Sequence, residues 1–403
     1  MSNIILAALL YPEVFGIMAL ATVVMIGLNM LSDAGIHYSI IQNKKGEEGS
    51  FRHTAWTLQI IRGFLIWGIS CVIAYPIAQL YATPVLFPVI CALGFMEVVR
   101  GFQTTALSVN TKNLNIGKVS ILKVGTQALG IIIMLAWTKI DPSVWALVWG
   151  TMIATITSIP FGHWFLNQGF KHQLKIEKSA FGELFGLGKW IFLSSVVGFV
   201  ANQADRLIIG KVLSISELGL YSIALALAQI PWMIFNKLST QVLLPIYAEI
   251  QDQDLSEVRK KLAKIRIRVA ALLLPPAMCL IIYGEELIQL MYDDRYLEAG
   301  WMLETLACGV ALTVATNIGP VYLGFGKPKV FLMSVIFKGI FLVGSMALGN
   351  YYLGTKGMIY GVALSHALYY LLQVGIYSYF KLWLWRMDIA ILSMLSSIYL
   401  LAL

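Results

Sequence analysis

The sequence predicts an all-α polytopic membrane protein with two pseudo-symmetric helical bundles. Three observations lead to this fold class: the composition, the length of the apolar segments and an internal repeat. Of the 403 residues, 59% are hydrophobic and 12% are charged, whereas an average soluble domain has about 25% charged residues. The mean hydropathy is +0.78 over the whole chain. These values exclude a soluble protein and indicate that most of the chain meets lipid.

The first part of the chain, 1–166, contains five apolar segments that are long enough to be membrane-spanning helices. A helix needs about 20 mostly apolar residues to cross the hydrocarbon core. These five segments are 14–36, 55–81, 85–108, 119–138 and 143–166. They lack the polar and apolar alternation of a β-barrel strand, so helices are expected. We assign 1–166 to an N-terminal lobe of five spans.

The basic segment 167–189 is predicted to be a cytoplasmic linker, and 190–381 a C-terminal lobe of six spans. The six segments are 190–212, 217–248, 266–290, 301–324, 329–349 and 356–380. A final apolar segment, 387–403, is predicted to be a partial additional span within 382–403. The sequence therefore predicts about 12 spans.

The distribution of positive charge predicts the orientation, because cytoplasmic loops of membrane proteins accumulate Lys and Arg. Nineteen of the 29 Lys and Arg residues fall in one alternate set of loops. The other set contains only Lys139, Lys211, Arg295 and Lys356. The loop at 42–54 is therefore predicted to be cytoplasmic.

Pairs of similar motifs indicate an internal repeat. The motif GIMALA at 16–21 aligns with GLYSIA at 219–224, and SILK at 120–123 aligns with SVIFK at 334–338. A repeat of like topology predicts a functional site between the halves, near the middle of the membrane. In this alignment the segment 190–212 has no partner before residue 14. The first lobe is therefore expected to lack its first helix, and the end of the chain to be shortened as well.

Ionisable side chains inside apolar segments are the candidate functional residues, because such groups are costly in lipid and usually face a bundle interior or a cavity. The cations are Arg62, Arg100, Lys123, Arg206, Lys237 and Lys338, and the carboxylates are Asp33, Glu97, Asp205 and Glu304. An excess of cations predicts a cavity that attracts an anionic group such as a diphosphate. Glu97 and Asp205 are candidates for coupling to an ion gradient.

Several of these residues have an alternative interpretation. Arg62 and Lys123 are close enough to a membrane interface to extend their charges into the headgroup region. Glu97 and Arg100, three residues apart, can neutralise each other. Lys338 lies near the middle of its segment, too deep to extend its charge easily to the interface, and is expected to face the cavity. Asp33 and Glu304 lie near interfaces, where helix capping or solvation is expected.

Pro275 and Pro276 form a doublet inside an apolar segment. Proline bends a helix and frees backbone carbonyls. The doublet is a candidate hinge for alternating access, with a static kink as the alternative.

No motif for catalysis, metal binding or a cofactor is present. The five histidines and four cysteines lack metal-ligand spacing, and no phosphate loop or nucleophile motif occurs. The basic stretch 259–268 could be a nucleic-acid patch, but beside an apolar span it is better explained as an anchor facing anionic lipid. We therefore expect no enzyme activity, no cofactor and no nucleic-acid partner.

Four sequence runs in the second half resemble a known family. They are FGLGKWIFLSS at 185–195, NQADRLIIG at 202–210, ELGLYSIA at 217–224 and LP at 244–245. In the first half, DAGI at 33–36, IQ at 41–42, RGFQ at 100–103 and VWALV at 144–148 are similar to the same family. This family is the Wzx-type polysaccharide flippases, in the multidrug/oligosaccharidyl-lipid/polysaccharide flippase superfamily. The resemblance covers nearly the whole chain.

The resemblance implies a MATE-like fold of two lobes around a cationic cavity, in the bacterial inner membrane. It implies transport of an undecaprenyl-diphosphate-linked oligosaccharide to the periplasmic leaflet for O-antigen, capsule or exopolysaccharide synthesis. Membrane lipids and polysaccharide polymerase or export proteins would be the other partners. Arg100 and Arg206 fall within the motifs that resemble the family. The lysines are candidates only because of their positions within the apolar segments.

The hypothesis from the sequence is a flippase in which the lobes rock while cations hold the diphosphate. A cation-coupled multidrug antiporter on the same fold is the alternative, although it would favour an anionic cavity. A membrane polymerase would need a large outer loop with Arg or His. The shortened ends would favour an inactive fragment.

Overall fold

The computed structural model describes most of the chain as helices joined by short connections. It covers residues 2–32, 36–166, 170–177, 180–181, 188–243, 246–247, 249, 254–316, 321–325 and 327–402. Helices but no strands occur in these ranges. Together with the apolar helices described below, this confirms the predicted all-α membrane fold.

The chain divides into two compact units, Met1–Phe199 and Val200–Leu403. The helices of unit 1 are α1 (Ser2–Ala7), α2 (Pro12–Ser32), α3 (Ile36–Gln42), α4 (Gly49–Leu80), α5 (Leu86–Gly101), α6 (Ala106–Lys112), α7 (Ile116–Thr138) and α8 (Val144–Leu166). The boundary between the units lies inside α9 (Gly188–Val212). Within unit 1, α4 packs along α5 and α7 packs along α8, while α2 packs against α5.

Unit 2 contains the rest of α9 and eight further helices. They are α10 (Ile215–Ala228), α11 (Ile230–Leu238), α12 (Leu255–Ile282), α13 (Gly284–Met291), α14 (Ala299–Thr316), α15 (Val321–Gly324), α16 (Pro328–Tyr379) and α17 (Trp385–Ala402). The central helix is α14, which packs against α10, α12, α16 and α17. It is also the most buried of the membrane-spanning candidates.

Seven described helices are long and apolar enough to cross a membrane, or nine if two bent helix pairs each form one span. The pairs are α5 with α6, bent by 66°, and α10 with α11, bent by 44°. The second bend explains why the predicted segment 217–248 is not one straight helix, since Pro231 lies in the first turn of α11 and cannot continue the backbone hydrogen bonds of α10.

The 52 residues of α16 form a helical hairpin rather than one long helix. A straight helix of this length would measure about 78 Å, more than twice the hydrocarbon thickness. The chain reverses at Gly354, whose φ of 64° lies in the left-handed region that favours glycine. Ser345 Oγ donates to Gly361 O at 2.7 Å, joining the arms 328–353 and 355–379. The predicted segments 329–349 and 356–380 correspond to these arms.

Two glutamates noted in the sequence, Glu217 and Glu304, form hydrogen bonds at the starts of helices. Glu217, in the ELGLYSIA run, forms a capping box with Ser214 at the start of α10: Ser214 N donates to the Glu217 carboxylate at 2.9 Å, and Glu217 N donates to Ser214 Oγ at 3.1 Å. Glu304 Oε1 accepts a hydrogen bond of 3.0 Å from Glu285 N, at the start of α13, which agrees with the capping interpretation.

Candidate functional site

Unit 1 contains a polar cavity of about 280 Å³ between α3, α4, α5 and α6. Arg62, Glu97 and Arg100, three of the residues predicted from the sequence, lie in its lining together with His37 and Gln59. The cavity forms where α5 ends at Gly101 and the chain turns into α6. This bend turns polar residues toward the α3 side of the unit.

Arg62 binds the C-terminal end of α2. Its Nη2 donates to Asn29 O at 3.1 Å and to Asn29 Oδ1 at 3.0 Å, and its Nε donates to Ser32 O at 3.1 Å. The last carbonyls of a helix have no partner within the helix and carry partial negative charge. Arg62 therefore closes the end of α2, a role that the sequence did not predict.

Glu97 and Arg100 form an ion pair within α5, as the alternative interpretation of their spacing predicted. Arg100 Nη1 donates to Glu97 Oε1 at 2.5 Å. The Glu97 side chain is 8% exposed and that of Arg100 is 55% exposed. The guanidinium is thus accessible at the edge of the cavity, while the carboxylate that neutralises it is buried.

Unit 2 contains a larger polar cavity, of about 560 Å³, between α9, α11, α14 and α16. Three further predicted residues, Asp205, Arg206 and Lys338, lie in its lining. Amide, hydroxyl and aromatic side chains complete it, including Gln229 and Trp232. A volume of this size is within the range of small-molecule binding sites.

The two cations of this cavity make few protein contacts with their charged groups. Lys338 Nζ donates to Asn202 Oδ1 at 2.8 Å and lies 5.9 Å from the centre of the Trp232 ring. Arg206 Nη1 donates to Gln203 Oε1 at 2.8 Å, and its buried Nε has no hydrogen-bond partner among the described residues. Both groups therefore retain donors for an anionic ligand.

Asp205 is the buried carboxylate of the unit 2 cavity, with 6% of the residue exposed. Tyr221 OH donates to Asp205 Oδ2 at 2.6 Å. The other carboxylate oxygen, Oδ1, is buried without a hydrogen-bond partner in the described part of the chain. A buried oxygen of this kind is costly, and it gives the cavity one free acceptor beside its cations.

Each cavity thus combines two cations with one carboxylate. Unit 1 has Arg62 and Arg100 with Glu97, and unit 2 has Arg206 and Lys338 with Asp205. The remaining two predicted cations, Lys123 on α7 and Lys237 on α11, are exposed and belong to neither lining. The repeat aligned Lys123 with Lys338, but the two lysines differ in their environments.

Several polar residues of the unit 2 cavity were not predicted from the sequence. His366 pairs with Thr313 Oγ1 at 2.7 Å, and Gln373 Oε1 accepts from Tyr322 OH at 2.6 Å. Tyr369 also lines the cavity. The spacing of 366, 369 and 373 places these side chains on one face of a helix. This polar face is the signal in the sequence, but its side chains lack the formal charge that marks the predicted cations and carboxylates.

The proline doublet lies inside a continuous helix. α12 runs from Leu255 to Ile282 through Pro275 and Pro276, which are both exposed. The hinge therefore stays a prediction. Asp33 and the LP pair at 244–245 lie outside the described residues. In the part of the chain that the structure describes, no group of three or more His, Cys, Asp or Glu residues could hold a metal ion.

Residues 5–300 match the family described as "Polysaccharide biosynthesis protein". The chain is 22% identical over 364 residues to the lipopolysaccharide biosynthesis protein WzxC of Escherichia coli K12, covering 89% of this chain and 73% of that protein. It is 21% identical over 347 residues to the succinoglycan biosynthesis transport protein ExoT of Rhizobium meliloti, covering 86% and 69%.

Two solved structures share the fold. An inward-facing multidrug resistance MATE family transporter of the MOP superfamily superposes with a TM-score of 0.76 at 14% identity, covering 98% of this chain and 94% of the transporter. The lipid II flippase MurJ, in an inward closed conformation, superposes with a TM-score of 0.69 at 15% identity, covering 99% and 90%. At these identities the likeness shows the fold. The family match shows more: the chain belongs to the polysaccharide biosynthesis protein family, which confirms the resemblance found in the sequence.

Proposed function

We propose that this member of the polysaccharide biosynthesis protein family is a flippase. Its substrate would be an undecaprenyl-diphosphate-linked oligosaccharide, which it moves to the periplasmic leaflet of the bacterial inner membrane for surface polysaccharide synthesis. The names of WzxC and ExoT, as biosynthesis and transport proteins of polysaccharides, support this proposal. The observation that carries it is the charge of the unit 2 cavity, in which Arg206 and Lys338 outnumber Asp205.

An anionic substrate fits this charge distribution. Cations in a site that is shielded from water attract an anion more strongly than exposed cations do. Lys338 has one hydrogen bond to a neutral amide, and Arg206 has one to Gln203. Both partners are neutral amides, so neither hydrogen bond neutralises the cation. Phosphate oxygens would supply charged acceptors in addition to the single carboxylate of Asp205.

Transport of this kind needs no covalent chemistry. Arg206 and Lys338 would hold the diphosphate in the unit 2 cavity, and the accessible Arg100 is a separate candidate for binding it at the unit 1 cavity, while the polyprenyl chain stays in lipid. Asp205 and Glu97 would couple transport to an ion gradient by taking up and releasing a cation as the substrate is bound or released. The protein is accordingly proposed to be a transporter and not an enzyme. The loop at 42–54 would be cytoplasmic.

The test is mass spectrometry of undecaprenyl-diphosphate oligosaccharides in a strain that lacks the gene. The leaflet of each intermediate is scored by its accessibility to an added glycosidase, before and after the chain is restored. Accumulation of an inaccessible intermediate that restoration relieves would support the proposal. Accumulation without relief would mean that this 403-residue form does not flip. No accumulation would favour the multidrug antiporter.

A further inference from the structure

The hairpin α16 has an apolar groove on its surface, separate from the polar cavity of unit 2. The groove has a volume of about 490 Å³ and is lined by Val330 of the first arm and by Leu371, Gly375, Ile376 and Tyr379 of the second. None of these residues lines the polar cavity. Most of them are exposed or half-buried. The groove therefore faces away from the polar cavity and toward the surroundings of the protein.

Cations surround one end of this groove. Lys329 directly precedes Val330, and Lys381 directly follows Phe380, another lining residue; both lysines are exposed. The stretches 321–331 and 371–386 that frame the groove contain three lysines and Arg386 but no Asp or Glu. The two stretches meet in one hydrophobic cluster, which includes Val330, Ile376 and Phe380. The charged side chains of these two stretches are therefore all positive.

Aromatic residues indicate that the positive end lies at a membrane interface. Tyr379 is exposed and contacts Phe380 edge to face, with ring centres 5.2 Å apart. At the tip of the hairpin, Tyr351 and Tyr352 make the same kind of contact at 5.1 Å and are exposed. Tyr is enriched at both membrane interfaces. The groove therefore extends from one interface, beside the lysines, into the hydrocarbon region.

We propose that this groove binds an anionic glycerophospholipid. One acyl chain would lie along the face formed by Leu371, Gly375 and Tyr379, with the phosphate at Lys329 and Lys381. Basic clusters at the membrane surface select anionic headgroups. The position of the groove, away from the polar cavity, favours a resident phospholipid over the polyprenyl chain of a passing substrate. The proposal does not depend on which substrate the protein transports.

Native mass spectrometry of the full chain in detergent tests the proposal. The protein is incubated with phosphatidylglycerol or with phosphatidylcholine of the same acyl chains, and the bound lipid is counted. Wild type is expected to retain phosphatidylglycerol in preference to phosphatidylcholine. The double variant K329Q/K381Q should lose this preference by more than tenfold, because each lysine contributes a factor of about five. K356Q, at the tip of the same hairpin, is the matched control.

A second pair of variants tests the apolar part of the groove. A Cβ atom at Gly375 would enter open space, so Gly375→Leu extends an apolar side chain into the groove from a position that is not blocked at its base. Gly344, on the first arm, is also exposed and open, and Gly344→Leu is therefore a control for the same change in helix propensity. We expect Gly375→Leu to lose bound phosphatidylglycerol and Gly344→Leu to retain it.

Equal retention of phosphatidylglycerol in all variants would overturn the proposal. The proposal would also be overturned if Gly375→Leu lost bound phosphatidylglycerol and bound phosphatidylcholine equally while K329Q/K381Q retained the wild-type preference. The groove would then select no headgroup. Displacement of phosphatidylglycerol by undecaprenyl phosphate would identify the polyprenyl chain as the occupant and also overturn it. If Gly375→Leu does not fold, the lysine pair with its K356Q control decides the outcome.

Discussion

Arg266 and Asp388 form a buried ion pair that joins α12 to α17, with 3% of each side chain exposed. Arg266 Nε also donates to Ala315 O at 2.8 Å. The second oxygen of Asp388 accepts from Trp383 Nε1 at 2.8 Å and from Tyr370 OH at 3.0 Å. Four helices of unit 2 therefore meet at one polar network. By sequence Arg266 belongs to the basic stretch 259–268, which was interpreted as an anchor facing anionic lipid, but in the structure it is buried inside α12, which begins eleven residues earlier, at Leu255.

We expect Asp388→Asn to destabilise the protein by about 3–5 kcal/mol, because removal of one partner leaves a buried charge without compensation. Arg266→Gln should have a similar effect. The measurement is the unfolding temperature in detergent. The double variant R266M/D388L should recover most of the loss, since apolar side chains can replace a buried pair.

An exposed ion pair is the control for this experiment. Lys175 Nζ and Glu177 Oε1 are 3.1 Å apart, and the Lys175 side chain is 59% exposed. Lys175→Gln should therefore change the stability by less than about 1 kcal/mol. If Asp388→Asn lowered the unfolding temperature no more than Lys175→Gln does, the network would not stabilise the packing of α17 within unit 2.

The cavity cations are expected to carry the affinity for the substrate. Lys338→Gln and Arg100→Gln should each weaken the binding of undecaprenyl diphosphate more than tenfold, since a charged hydrogen bond is worth roughly 1.5–3 kcal/mol. Lys123→Gln and Lys237→Gln remove the same charge from exposed positions outside both cavities, and they should bind like wild type. Unchanged affinity of Lys338→Gln would remove Lys338 from the site.

The free oxygen of Asp205 predicts a role in coupling to an ion gradient. Asp205→Asn keeps the shape of the side chain but cannot carry the charge, so we expect its transport rate to lose the dependence on pH shown by wild type. Tyr221→Phe, which removes only the hydrogen bond to Oδ2, should retain a pH dependence. The measurement is the rate of transport into proteoliposomes over a range of about pH 5.5 to 8. If the transport rate did not depend on pH in wild type or in either variant, the coupling role of Asp205 would be excluded.

The segment 170–177 is expected to detach from α4 as the pH falls. Lys175 N and Glu177 N donate to Thr57 and Thr54 of α4, both at 3.0 Å, and His172 Nε2 contacts Thr105 Oγ1 at 2.9 Å. Burial lowers the pKa of His172 to about 4, with smaller effects from the neighbouring His163, Arg52 and His53.

The direction of the effect follows from this pKa. A detached His172 takes up a proton near pH 6.5, whereas the attached one resists it. Attachment is therefore fully stable above about pH 6.5 and weakens as the pH falls toward 4. Hydrogen exchange of 170–177, corrected for the intrinsic rate, should increase at pH 5 relative to pH 7.5. His172→Gln should abolish this difference and His37→Gln should not. Equal protection at both values in wild type would contradict the prediction.

Close packing within the hairpin α16 depends on glycine. A Cβ at Gly349 would overlap the carbonyl oxygen of Gly357 on the opposite arm. Gly349→Ala should therefore separate the arms and lower the unfolding temperature, at a cost of about 1–3 kcal/mol. Gly344→Ala adds the same methyl group in open space and should be neutral or slightly stabilising. Equal unfolding temperatures for the two variants would show that the arms can adjust.

The sequence by itself determined that this is a helical membrane protein of the polysaccharide biosynthesis family. Apolar segments long enough to cross a bilayer leave helices as the only suitable backbone for this pattern. The predicted segments therefore coincide with described helices even where the ends differ. The cost of charge in lipid likewise selected Asp205, Arg206 and Lys338 before their contacts were known.

Only the tertiary structure decided which candidates share a cavity and which support the fold. Lys123 and Lys338 occupy aligned positions in the repeat, yet one is exposed and the other contacts Asn202 in a cavity. Arg62 was a candidate for ligand binding, yet it closes the end of α2. Hydropathy is averaged over all sides of a helix. It therefore shows that a charged residue lies inside a span, but not which neighbouring residues its side chain contacts. The rotation and packing of each helix determine that, through contacts between residues far apart in the chain.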